Sequence, residues 1–224
     1  IPANKQLQDG SFSWVPRLEP FTQWSRKEFN GLWLTAPPGF GKPVLAAHVV
    51  QVLKSEHPGE VVLYFFCKRT HPQLNTWEQL VHTLASRLVM AVSSTQGYFQ
   101  DLQDRKHGSE DVSLLFETYI VKPLSKVNSQ VFIVIDGIDE CLFMGEDLPH
   151  FDDKSSAILE SFTKLQCQCL LTSRPMPISN GKLSLWLHHR LTTENLEDIR
   201  VFTSKRLCES IVLQGGFERL GQHA

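Results

Sequence analysis

Apolar residues in this chain fall into short unbroken runs separated by stretches where they recur every three or four positions, and the two textures alternate from residue 31 to residue 213. The runs predict strands at Leu32 to Thr35, Glu60 to Phe66, Gln130 to Ile135, Cys167 to Thr172 and Leu185 to Leu191. Glu60 to Phe66 is β-branched and aromatic without polar alternation, as a strand covered on both faces would be. The periodic stretches predict helices. Lys42 to Leu53 carries Val44, Leu45, His48, Val49 and Leu53 at helical spacing, and a helix capped by Thr76 and reaching Val92 lines up Leu80, Leu84, Leu88 and Val89. Further helices are expected from Asp111 to Val127, bent or ended by Pro123, from Ala157 to Leu165, and from Asn195 to Leu213 with Ile199, Phe202 and Leu207 inward. Ser93 to Glu110 and the acidic stretch Glu146 to Asp153 lack periodicity and are expected as exposed connections. Strands alternating with helices, with unbroken apolar runs for strands, mean an α/β domain: a parallel sheet with helices on both faces.

Composition narrows the class. The 224 residues suit one sizeable domain. Residues 1–30 read as a leader, in which Phe12, Trp14, Phe21 and Trp24 are expected to pack on the core around Pro16 and Pro20. Net charge is -2 and no basic run occurs, so neither nucleic acid nor a membrane is an expected partner. No apolar run approaches the roughly 18 residues that span a bilayer. The five cysteines, Cys67, Cys141, Cys167, Cys169 and Cys208, are odd in number and widely spaced, which predicts reduced thiols and a cytoplasmic location. Cys167 and Cys169 have no second pair and no nearby histidine, so a zinc site is not expected. The chain begins Ile-Pro-Ala-Asn without a methionine or a signal-like segment and reads as part of something longer.

The most informative stretch runs Gly31-Leu-Trp-Leu-Thr-Ala36-Pro37-Pro38-Gly39-Phe40-Gly41-Lys42-Pro43-Val44. A strand, a glycine-flanked turn and a lysine at a helix N-terminus make a phosphate cradle, because unpaired backbone N–H groups and the positive helix end converge there. The ligand this predicts is a nucleoside triphosphate. About a hundred residues on, the apolar strand Gln130 to Ile135 runs into Asp136-Gly137-Ile138-Asp139-Glu140-Cys141. Asp136 sits where a magnesium-organising carboxylate must be to meet the phosphates, and Asp139 and Glu140 follow closely enough to orient a water toward the γ-phosphate. Arg174, with the hydroxyls of Thr172 and Ser173, ends a third strand. In an open parallel sheet the ligand lies beyond the carboxyl ends of the strands, so Arg174 would face the same crevice and sense the γ-phosphate.

These stretches, with Leu191-Thr-Thr-Glu-Asn195-Leu-Glu-Asp198-Ile199, resemble the NACHT domain of STAND-class P-loop NTPases, particularly the fungal incompatibility and NOD-like receptor branch. The resemblance covers roughly residues 10–213. It implies a three-layer P-loop fold with a five-stranded sheet of order 5-1-4-3-2, and a nucleotide-dependent signalling switch that binds ATP or GTP with Mg2+. It implies a cradle of Ala36 to Val44 with Lys42 as the phosphate lysine, Asp136 as the magnesium residue, Asp139 and Glu140 as hydrolytic acids, and Arg174 as a sensor. The implied partners are other copies of the chain, joined through this domain, and effector and sensor domains outside it. A helical lid and winged helix would start after Leu213, leaving residues 214–224 as their beginning.

Two positions depart from the pattern GxxxxGK[ST]. Ala36 stands where glycine is expected, and Pro43 where serine or threonine would coordinate magnesium. Pro43 also removes a backbone N–H that would face a phosphate oxygen, while remaining acceptable in a first helical turn. A lost charge-assisted hydrogen bond costs about 1.5–3 kcal/mol, which translates into roughly ten- to a hundredfold weaker binding. Weak binding with slow or absent hydrolysis is therefore expected. The alternative is a scaffold that has kept the fold without productive nucleotide binding. A small-molecule kinase is disfavoured because no arginine-rich lid is present.

Overall fold

The computed structural model describes residues 12–104, 111–142, 153–176, 186–201 and 203–204. The leader before Phe12, most of the acidic stretch from Glu146, Phe202, Leu207, Cys208 and residues 214–224 lie outside these. Five strands, β1 (Gly31–Thr35), β2 (Val61–Phe66), β3 (Val131–Asp136), β4 (Gln168–Ser173) and β5 (Leu187–Arg190), form one parallel sheet of order β2-β3-β4-β1-β5. This is the expected order read from the other edge. In register, Thr35 lies beside Ser173 and Phe66 beside Asp136. The carboxyl ends of β1, β3 and β4 therefore open on one rim.

Alternate residues of the central strands serve two cores, as the pleat requires. On one face Trp33, Ile133, Ile135, Cys169 and Leu171 pack under α3 (Trp77–Ala91) and α8 (Asp153–Thr163). On the other, Leu32, Leu34, Phe132, Val134 and Leu170 pack under α1 (Glu19–Ser25) and α2 (Lys42–Glu56). Phe12, Val15, Phe21 and Trp24 of the leader are buried in this second core, with the Trp24 ring edge-on to Phe132 at 5.9 Å. Truncating such a fully buried aromatic to alanine costs about 3–5 kcal/mol, so residues 12–30 are part of the folded unit.

The helices carry their expected start signals. Thr76 caps α3 by accepting from the Gln79 N–H at 3.2 Å. Asp111 caps α5 (Val112–Phe116) through the N–H groups of Ser113 and Leu114. The helical run stops at Leu124, one residue past Pro123 and short of the expected Val127. The chain widens into a π-turn at Glu117–Val121 and resumes as α6 (Lys122–Leu124), which accommodates a residue without an N–H.

Three expectations are corrected. Ser93 to Glu110 is not simply an exposed connection, because a 3₁₀ turn at Ser93–Thr95 leads into α4 (Gln96–Asp104). Thr95 is buried, Phe99 packs on the core, and the Tyr98 hydroxyl donates to the Thr118 carbonyl at 2.8 Å, in the π-turn. So short an apolar stripe, drawn in by tertiary contact, leaves little period to read. β2 is fully covered on one face only, its other face packing partly buried against the second core. It is an edge strand, so Val62, Tyr64 and Phe66 stay half-exposed, and the Tyr64 ring is roofed by the Arg87 guanidinium 3.7 Å from its centroid. Ile199 is exposed rather than inward, like Leu196 in the same helical turn. Among the described residues no helix is long and apolar enough to cross a membrane.

Candidate functional site

The cradle follows β1. Gly39 and Gly41 adopt φ of 81° and 89°, left-handed geometry that a side chain resists, and they turn the chain from strand into α2. Ala36 is fully buried and forms the strand exit, with its N–H donating to the Ser173 carbonyl at 3.1 Å. Pro37, Pro38 and Gly39 are exposed, whereas Phe40 is buried under the leader. Gly41 is the N-cap of α2 and no side chain caps the helix; the Gly41 carbonyl accepts the Val44 and Leu45 N–H groups at 2.9 and 3.0 Å, and Pro43 has no N–H. Pro43 is exposed in the first turn and Val44 packs half-buried against the second core. The Lys42 ammonium curls back over the turn, donating to the carbonyls of Ala36 at 2.8 Å and Pro37 at 3.0 Å.

Across the rim stands the acidic loop after β3. Asp136 is buried at the strand end, where Thr172 of β4 donates its hydroxyl to the carboxylate at 2.6 Å and accepts the Gly137 N–H at 3.0 Å. Burial pushes the Asp136 carboxyl up to about 7; the Thr172 hydrogen bond and Lys42 oppose the shift, while Glu140 and Asp139 add to it. Asp139 and Glu140 lie on α7 (Ile138–Leu142). The Asp139 carboxylate is buried and receives the Arg174 Nε–H at 2.5 Å and the Arg174 backbone N–H at 3.3 Å. That contact holds the guanidinium still more firmly protonated. Glu140 accepts the backbone N–H of Arg69 at 2.7 Å. Partial burial lowers the Lys42 ammonium from its ordinary range, and the Asp139 and Asp136 carboxylates pull it back up. Lys42, the three acids and Arg174 thus share one electrostatic neighbourhood.

Several neighbours had no assigned role in the sequence reading. Thr172 was visible only as a strand-end hydroxyl, and its link to Asp136 follows from the β3–β4 pairing. Trp33 donates its indole N–H to Ser173 at 2.9 Å, steadying the residue before Arg174. Asn195 is buried and donates to the Phe40 carbonyl at 2.8 Å, so the segment after β5 holds the cradle from behind. Asp198 accepts from the Phe12 N–H and from the Trp14 indole at 2.7 Å, tying the leader to that same segment. The signal for these two was the polar pair inside Asn195-Leu-Glu-Asp198, at one helical turn's spacing.

This arrangement brings a helix start without a side-chain cap, a lysine and a buried carboxylate to one rim of the sheet, which is chemistry suited to a polyphosphate and a divalent cation. The vegetative incompatibility protein HET-E-1 of Podospora anserina is 25% identical over 179 residues, which is 76% of this chain and 12% of that protein. The chain thus spans a small part of this much longer relative. The family described as Nephrocystin 3, N-terminal matches residues 10–174, from the buried leader through the cradle and the acidic loop to Arg174, and to that family the chain belongs.

Proposed function

We propose that the chain is the nucleotide-binding core of a NACHT-type signalling switch, taking ATP or GTP with Mg2+ in the crevice between the cradle and the acidic loop. The observation that carries this reading is the meeting of Lys42 with Asp136, Asp139 and Arg174 at the carboxyl rim of a parallel sheet. The site fits the absent groups: Gly39 and Gly41 open the turn, α2 has no side-chain cap, and Asp136 is a buried carboxylate aligned with the cradle. Magnesium would supply charge neutralisation for the β- and γ-phosphates. Lys42 would leave the carbonyls of Ala36 and Pro37 to meet phosphate oxygens, and Asp136 would be held ionised. Asp139 would keep Arg174 oriented toward the γ-phosphate, with Glu140 beside it. The similarity to HET-E-1 supports the signalling part, with self-association and effector and sensor domains elsewhere in the longer protein as the further expectation.

A second reading, a scaffold that no longer binds nucleotide productively, is favoured by Pro43, which removes a hydroxyl and an N–H from the cradle. Calorimetric titration with ATP, ADP, GTP and GDP, with and without magnesium, separates the two. The switch reading expects magnesium-enhanced triphosphate binding weakened roughly ten- to a hundredfold by Pro43. No heat with any nucleotide, in a folded chain, favours the scaffold. Full magnesium-dependent turnover would overturn the impairment assigned to Pro43.

A further inference from the structure

We propose that Cys67 and Cys141 are a site of oxidative modification, closing to an intramolecular disulfide on reaction with a small peroxide. This does not rest on nucleotide binding. The two thiols come from distant parts of the sequence, 74 positions apart, yet their sulfurs approach to 2.7 Å. That is closer than the roughly 3.5–4.0 Å at which non-bonded carbon atoms rest, although sulfur is the larger atom. Cys67 follows β2 and Cys141 lies on α7.

Contacts other than the thiols hold these two segments together. The Cys67 N–H donates to the Asp136 carbonyl at 2.9 Å and the Arg69 N–H to Glu140 at 2.7 Å. The strands feeding both segments are paired in register through Phe66 and Asp136. A disulfide therefore forms with little backbone movement, which is the usual obstacle to bridging two cysteines.

Burial selects the oxidant. Cys67 is 6% exposed and Cys141 4%, so a diffusible peroxide reaches them more readily than a bulky disulfide such as oxidised glutathione. One sulfur attacks the peroxide O–O bond, giving a sulfenic acid and one water. The second sulfur then displaces the hydroxyl, which leaves as a second water with the remaining thiol proton. Two electrons pass from the thiol pair to hydrogen peroxide, and the S–S bond forms. Cys167 and Cys169 serve as the internal comparison. Cys169 is on β4 and Cys167 lies just before it; two residues along an extended chain span roughly 6.6–6.8 Å, at the upper limit for a disulfide. The bond would fasten residues 67–74 to α7, the helix bearing Asp139 and Glu140.

The test is peroxide treatment of the native 224-residue chain, followed by non-reducing peptide mapping and amide hydrogen exchange. The expected product is a reversible crosslink between the Cys67 and Cys141 peptides, with loss of two hydrogen masses. It should form about tenfold faster than any other pairing, because the sulfurs are already in contact. Amide protection should rise at 67–76 and 138–142. Cys67→Ser should leave Cys141 as a sulfenic acid trapped by a carbon nucleophile, and the wild-type map needs no variant to fold. Reduced Cys67 and Cys141 at peroxide doses that oxidise the methionines, or a crosslink seen only in denaturant, would overturn the site. A crosslink with unchanged protection would overturn the fastening of α7.

Discussion

The two loops that face each other across the candidate site are held by opposite means. The acidic loop after β3 is buried and clamped by side chains, with Thr172 on Asp136 and Gly137, Arg174 on Asp139, and the Arg69 amide on Glu140. The cradle after β1 is exposed at Pro37, Pro38 and Gly39, and its shape comes from two glycines and from Lys42 bonding the turn's own carbonyls. One side is held by side chains before any ligand arrives, whereas on the other Lys42 is engaged with the turn's own carbonyls and the Asn195 amide, on the Phe40 carbonyl, is the side chain that reaches it from outside. Preorganised groups cost nothing to arrange on binding, but groups that must exchange partners do. The N–H and hydroxyl missing at Pro43 therefore fall on the side already less prepared.

The largest effect expected on the clamped side is a pH dependence at Asp136. Its native carboxyl keeps its proton up to about 7, against 3.8 ordinarily, so the native state holds a proton that the unfolded chain has lost in that interval. The stability this contributes is full below the unfolded value, declines as pH rises, and is gone above about 7, a span on the order of 4 kcal/mol. Urea unfolding across this range should show wild-type stability falling relative to Asp136→Asn. A difference between the two that does not change with pH would mean that the burial cost is relieved elsewhere.

Thr172→Val attacks the same loop without touching a charge. It leaves the Asp136 carboxylate and the Gly137 N–H unpaired in a buried setting, so a loss of about 2–3 kcal/mol is expected in chemical denaturation. A loss under a few tenths would show that the loop is held by its backbone alone, and the contrast with the cradle would fail.

Pro43→Ser tests the opposite side. The variant regains a hydroxyl and an N–H at the first turn of α2, and triphosphate affinity with magnesium should rise roughly ten- to a hundredfold. Folding stability should hardly change, because Pro43 is exposed and suited to that turn. Unchanged affinity would mean that the cradle is limited by Lys42's attachment to Ala36 and Pro37.

Much of this was legible in the sequence, for identifiable reasons. The unbroken apolar run Val131 to Ile135 is what a strand buried on both faces must be, and all six residues of β3 are buried. The same reading failed for β2, since sequence composition does not say which strand lies at the sheet edge. The turn at Gly39-Phe40-Gly41-Lys42 was legible because both glycines sit at positive φ, which few other residues accept. Thr172 and Asn195 did not stand out, because their partners are 36 and 155 positions away and a hydroxyl or amide carries no signature of what it will meet. Tyr98 and Phe99 were overlooked because two aromatics on a short helix do not make a period.

Asn195→Ala carries the smallest expected effect and divides the two loops most finely. Asn195 is the buried side chain that holds the cradle from outside, through the Phe40 carbonyl, and its neighbour Asp198 anchors Phe12 and Trp14 of the leader. Deleting the amide leaves one buried carbonyl short of a donor, which costs about 1 kcal/mol. If the cradle is shaped by its glycines, the loss should appear in unfolding alone, and any nucleotide affinity of the wild-type chain should persist within about threefold, under 1 kcal/mol. If affinity falls further than stability, the segment after β5 sets the cradle's geometry. The cradle would then be clamped as the acidic loop is, by a side chain from a distant part of the chain.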